Sequence, residues 1–126
     1  MSEPVRVAAL QMVSGPEVDE NFRQAAELLA QAVSEGAVLA VLPENFALMG
    51  LHERAKLAVA ETDGDGPIQA FLAEQARRHG IWVVGGTIPL RGNDPARVRG
   101  ACPVYDPNGD RVVRYDKIHL FDVAVA

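Results

Sequence analysis

Two side chains stand where a folded chain could use them chemically. Glu44 follows an apolar run and a proline, in Leu42-Pro43-Glu44-Asn45-Phe46. In α/β sheets, ligands bind outside the carboxyl ends of strands. A carboxylate there, flanked by Leu42, Phe46 and Leu48, is expected to be partly desolvated and shifted towards the general-base range. The bland alternative is an exposed loop glutamate, or one serving the N-terminus of the next helix. Lys117 lies in Tyr115-Asp116-Lys117-Ile118-His119-Leu120-Phe121-Asp122, just past another expected strand end. An ammonium group there could stabilise a developing oxyanion or donate a proton. Its bland alternative is a surface lysine paired with Asp116 or Asp122.

Other candidates read less well. Cys102 falls inside an expected strand, precedes Pro103 and has no histidine near it in sequence. A reactive thiol favours an electropositive, partly exposed turn or helix start, so a small core thiol is the better reading. His52, His79 and His119 show no i, i+4 pairing of the kind a helical metal site uses. Asp63, Asp65 and Glu74 have calcium-loop spacing, but Pro67 and Ile68 replace a ligand and the required glycine. Gly85-Gly86 follows a strand yet opens no helix, which argues against a dinucleotide site.

The elements that must position Glu44 and Lys117 are legible in the hydropathy. Residues 5–13 read as a strand buried on both faces, as in α/β sheets. Residues 18–35 carry Phe22, Ala25, Ala26, Leu29, Ala32 and Val33 at helical spacing, closed by Gly36. Residues 37–42 form a second apolar strand, stopped by Pro43. A loop over 44–50 leads to a short helix over 51–60 and a turn cluster over 62–66. Pro67 opens a helix that ends with Arg77-Arg78-His79 and Gly80. Residues 81–88 form a third strand. Residues 98–105 and 111–115 form a hairpin about Asp106-Pro107-Asn108-Gly109. The order β-α-β-α-α-β-β-β predicts an α/β fold of βαβ units with an antiparallel edge. Residues 116–126 show no clear period.

Length and charge narrow the function classes. A chain of 126 residues is one domain at most. Net charge is −5 and the basic residues are scattered, so there is no footprint for a phosphate backbone and nucleic acid is not an expected partner. A single cysteine excludes an internal disulfide and cysteine-rich zinc patterns. The start Met1-Ser2-Glu3-Pro4 does not read as a signal peptide. No apolar stretch approaches the roughly 18 residues needed to span a bilayer, so a cytoplasmic setting without membrane contact is the expectation.

Read together, the Glu44 and Lys117 segments resemble the glutamate and lysine motifs of the carbon–nitrogen hydrolase (nitrilase) superfamily. Val7-Ala8-Ala9-Leu10-Gln11-Met12, Gly64-Asp65-Gly66-Pro67, Val84-Gly85-Gly86-Thr87 and Val104-Tyr105-Asp106-Pro107-Asn108-Gly109 agree, in the family's order. Pro-Glu-Asn-Phe with Lys-Ile-His-Leu-Phe-Asp resembles the amidase branch that includes deaminated-glutathione and omega-amidases. The resemblance implies an α-β-β-α sandwich of which this chain is the N-terminal half, with helices on one face of a mixed sheet. It implies a Glu-Lys-Cys triad acting on small amides without a cofactor, in which Glu44 matches the base and Lys117 the oxyanion-stabilising cation. The family's nucleophilic cysteine follows the lysine motif, so Cys102 does not match it. The expectation is a chain inactive alone, self-associating or completed by a C-terminal half. The alternative is a non-catalytic interaction module that keeps the half-fold.

Overall fold

A computed structural model describes residues 3–50 and 52–118. Its elements are β1 (Val7–Ala9), α1 (Val18–Ser34), β2 (Leu39–Val41), α2 (Glu53–Val59), α3 (Pro67–His79), β3 (Trp82–Val84), β4 (Ile88–Arg91), β5 (Val98–Tyr105) and β6 (Arg111–Asp116). Strands β1, β2 and β3 are parallel neighbours, which long helical crossovers permit. Strand β5 runs antiparallel to β3 and β4 on one edge and to β6 on the other. The sheet is therefore mixed, as expected.

The helices build a core on one face of the sheet. Ala25, Leu29 and Ala32 of α1 and Ile68, Leu72 and Ala76 of α3 are buried, each set at the helical spacing that makes one stripe. They meet Ala40 of β2, Val83 of β3 and Ala101 of β5, which alternate with outward residues along their strands. Phe22 of α1 stacks on Phe71 of α3 at 4.4 Å between ring centroids, and Phe46 closes the trio at 6.4 and 6.2 Å. With so few aromatics, this cluster supplies the largest side chains at the helix–helix seam, where such pairs add about 0.5–1.5 kcal/mol beyond area burial.

Among the described residues, the opposite face is open and apolar. The strand registers align Ala9, Val41, Val84, Val104 and Val113 in one row across five strands. Val7, Trp82 and Tyr115 flank the row, exposed by 61%, 38% and 58%. The first strand accordingly departs from expectation. It covers three residues rather than 5–13, and it is not buried on both faces. Among the described residues it is an edge strand, with one neighbour, β2, and one covered face.

The expected strand over 81–88 is two strands. Val84 pairs with Val104 and Ile88 with Ala101, so residues 85–87 face only residues 102–103. One extra residue makes a β-bulge, and β3 and β4 become successive segments along one edge of β5. The remaining boundaries shift by one or two residues, as helix ends do. Leu51, the first residue of the expected short helix, lies outside the described residues. Among the described residues, no helix is long and apolar enough to cross a membrane.

Candidate active site

The bulge sits beside Glu44. Past the end of β2, the Leu42 N–H donates to the Val84 carbonyl at 2.9 Å, and Glu44 forms a parallel bridge with Thr87. Pro43 lies between them, against the turned backbone of Gly86, whose φ is +64°. A Cβ on Gly86 would stand 2.7 Å from the Leu42 carbonyl oxygen and closer still to that of Pro43, so only glycine lets the two segments approach this closely. Asn45 then turns the chain with φ +57°, a left-handed conformation that asparagine tolerates better than most residues. Its N–H donates to the Thr87 hydroxyl at 3.0 Å.

The rest of the loop is locked from below. Phe46 is fully buried, and its carbonyl accepts the Ser14 hydroxyl at 2.7 Å. Asn21, a buried polar residue on the apolar stripe of α1, donates to the carbonyls of Gly15 and Ala47, each at 2.8 Å. A buried amide with its partners in place fixes a unique geometry. Sequence reading assigned Asn21 no role. Its one signal was a polar residue beside Phe22 on an otherwise apolar face.

Lys117 arrives from the far edge. Its N–H donates to the Gly100 carbonyl at 2.8 Å, which extends the β5–β6 ladder by one residue. Its Nζ donates to Glu44 Oε1 across 73 positions of sequence, forming an ion pair. Asp116, the partner foreseen in the bland alternative, is held instead by Arg114, with Nε to Oδ1 at 2.6 Å. Residues 119–122 of the same motif, with Asp122 among them, lie outside the described residues.

The Glu44 carboxylate is more open than expected. Its side chain is 55% exposed, against 29% for Lys117. The apolar neighbours turn inward instead. Leu42, Phe46 and Leu48 are 2%, 0% and 4% exposed and bury themselves in the core rather than the carboxylate. Chemically, the arrangement places a proton acceptor and a cation in contact at one rim of the sheet.

The other candidates lie elsewhere or act structurally. Cys102 is half-buried and, by strand alternation, faces the open side of the sheet rather than the helix-covered core. That corrects the core-thiol reading. Burial pushes its thiol pKa up, with an opposing hydrogen bond from Gly86, and so works against a thiolate. Gly85-Gly86 forms the bulge. His79 sits in the last turn of α3, as its dipole favours. His52 is the N-cap residue of α2, and its side chain makes no capping bond. His119 lies outside the described residues.

Glu61 also escaped the sequence reading. It is 6% exposed, and its carboxylate accepts the N–H groups of Ile68 at 2.5 Å and Gln69 at 3.1 Å. It thus caps α3 from outside the helix, while its own backbone pairs with Pro89 and Arg91 of β4. The signal was indirect: α3 begins at Gly66-Pro67 with no side-chain cap of its own. Glu61→Ala leaves two buried helix donors without acceptors and is expected to cost about 2–4 kcal/mol. Thermal unfolding at fixed protein concentration reads this loss, and an unchanged midpoint would contradict the capping role.

Comparison with known proteins places the sequence and the fold in a family. Residues 6–126 match the carbon-nitrogen hydrolase family model. The chain is 38% identical over 124 residues to a deaminated glutathione amidase of Synechocystis, covering 98% of this chain and 45% of that protein. It is 35% identical over 120 residues to a deaminated glutathione amidase of Yersinia enterocolitica, covering 94% and 41%. In structure it resembles the NitFhit protein of C. elegans with a TM-score of 0.80 at 27% identity, over 94% of this chain and 29% of that one. An amidase from Nesterenkonia shares the fold, with a TM-score of 0.77 at 23% identity over 94% and 44%. The chain thus spans less than half the length of these curated relatives. With the order of its motifs and its fold in agreement, the chain belongs to the carbon-nitrogen hydrolase family.

Proposed function

We propose that this chain supplies the base and the cation of an amidase-type hydrolase acting on small linear amides. The observation that carries the reading is the Glu44–Lys117 ion pair, assembled from two strand ends 73 residues apart. The nucleophile is a cysteine thiol from outside these 126 residues. Glu44 takes the thiol proton, and the thiolate attacks the amide carbonyl. The Lys117 ammonium stabilises the oxyanion that forms. As the C–N bond breaks, Glu44 returns its proton to the leaving amine. Water, deprotonated by the same carboxylate, then attacks the thioester. The acid leaves, and the proton held by Glu44 restores the thiol. No cofactor enters.

The test is to join the chain to the segment of the Synechocystis amidase that follows the aligned region. Thiol-dependent ammonia release from small amides supports the proposal. A folded fusion that releases none overturns it.

The open sheet face supports a second layer over it. A row of five apolar residues, flanked by Val7, Trp82 and Tyr115, is the surface that a facing sheet would bury. A complementing C-terminal half fits this surface, and in its absence a second copy of the chain covers it. The chain on its own is therefore expected to self-associate in size-exclusion chromatography. A sharp monomeric peak with two-state unfolding would refute this. Capture of a partner by a chain with no cysteine-bearing continuation would favour the interaction-module reading instead.

A further inference from the structure

We propose that Thr87 is a positioning residue for Glu44, acting through the backbone of Asn45; this rests on the assignment of Glu44 as the base. The Thr87 hydroxyl accepts the Asn45 N–H at 3.0 Å and donates to Asn45 Oδ1 at 3.5 Å. Its backbone forms the parallel bridge with Glu44 itself. One residue thus holds both the glutamate and its successor.

The need for such a clamp follows from where Glu44 sits. It lies past the end of β2, where the regular ladder has stopped, and its neighbour Asn45 is held at φ +57°. A left-handed residue outside regular structure relaxes unless its surroundings hold it. The bulge at residues 85–87 supplies the holder. Its extra residue turns the strand so that Thr87 meets Glu44 and Asn45 instead of continuing flat along β5. Since a base acts only within hydrogen-bond reach of its proton, a small displacement of the loop reduces turnover. Lys117 cannot replace the clamp, because its ammonium grips the carboxylate at the end of a flexible side chain and makes no contact that fixes the Asn45 backbone.

The experiment compares Thr87→Val, Thr87→Ser and Glu44→Gln. Valine keeps the shape and the bridge but removes the hydroxyl, whereas serine keeps the hydroxyl. In the fused amidase described above, Thr87→Val is expected to lower kcat roughly 10- to 100-fold with KM little changed, and Thr87→Ser to restore it. Adding Thr87→Val to Glu44→Gln is expected to cost nothing further, because Thr87 acts through the carboxylate. Hydrogen exchange on the folded fused amidase, a readout that does not depend on turnover, is expected to show Asn45 opening at least about 10-fold faster in Thr87→Val, with β4 and β5 unchanged.

Equal Asn45 exchange in Thr87→Val and the parent overturns the proposal. So does parental kcat in Thr87→Val when Glu44→Gln is inactive, and so does a loss of protection spread evenly over the sheet. An active Glu44→Gln enzyme defeats the base assignment instead, and the exchange measurement then decides the clamp alone.

Discussion

Glu44→Gln and Lys117→Ala each reduce amide hydrolysis by the completed enzyme about 10³-fold or more, and the double variant is hardly worse than either single one. The magnitude follows from the roles. A positioned general base contributes typically about 10²–10⁴-fold. Removing one oxyanion-stabilising group costs about 10²–10³-fold. Non-additivity follows from the geometry, because Lys117 Nζ is bonded to the Glu44 carboxylate. Removing either group disables the other, and groups that act as a unit are lost as a unit. The two variants differ in a second respect. Glutamine at position 44 still accepts a hydrogen bond from Lys117, so the loop keeps its contact while losing its proton acceptor. Alanine at 117 leaves the carboxylate without its cation. As the pair is substantially exposed, neither change is expected to move stability by more than about 1 kcal/mol. Single-turnover measurements should therefore show slow thioester formation in a folded protein. Full activity of either variant would remove that residue from the mechanism, and a large loss of stability would recast the pair as structural.

Sequence patterns made the architecture legible where one physical signal dominated. The stripe of α1, the proline that opens α3 and the Asn-Gly hairpin between β5 and β6 each depend on local spacing, and each formed within a residue or two of expectation. Glu44 and Lys117 stood out because both follow strand ends, and in the structure both lie at the same rim. What the sequence hid was non-local. Apart from Gly85 and Gly86, residues 81–88 are all β-branched or aromatic strand formers, and nothing in that run tells a continuous strand from a bulge. The break depends on Gly86 meeting Pro43, a contact made across the sheet. Asn21 and Glu61 were silent for the same reason, since each satisfies backbone groups of a distant loop or helix. The burial expected of Glu44 failed because apolar neighbours in sequence need not cover the residue they flank.

Gly86→Ala should be among the most damaging single substitutions available to this chain, with a loss of more than about 3 kcal/mol. Two costs combine. An alanine held at φ +64° pays about 1–2 kcal/mol for the left-handed conformation alone. Its Cβ would also stand 2.7 Å from the Leu42 carbonyl oxygen and nearer still to the Pro43 carbonyl oxygen. Both obstacles are backbone atoms, so no rotamer change relieves them, and either the bulge or the Glu44 loop must move. Gly64→Ala separates the two contributions. Gly64 has φ +85°, and a Cβ there would meet nothing within 4 Å, so alanine bears only the conformational cost. The gap between the two midpoints in thermal unfolding, at matched concentration, measures the close approach of the two segments. It should be accompanied in Gly86→Ala by faster exchange at Asn45, because displacing Pro43 pulls the next two residues from Thr87. Equal midpoints for the two alanines would mean that strand end and bulge are not in the contact that sets the Glu44 backbone.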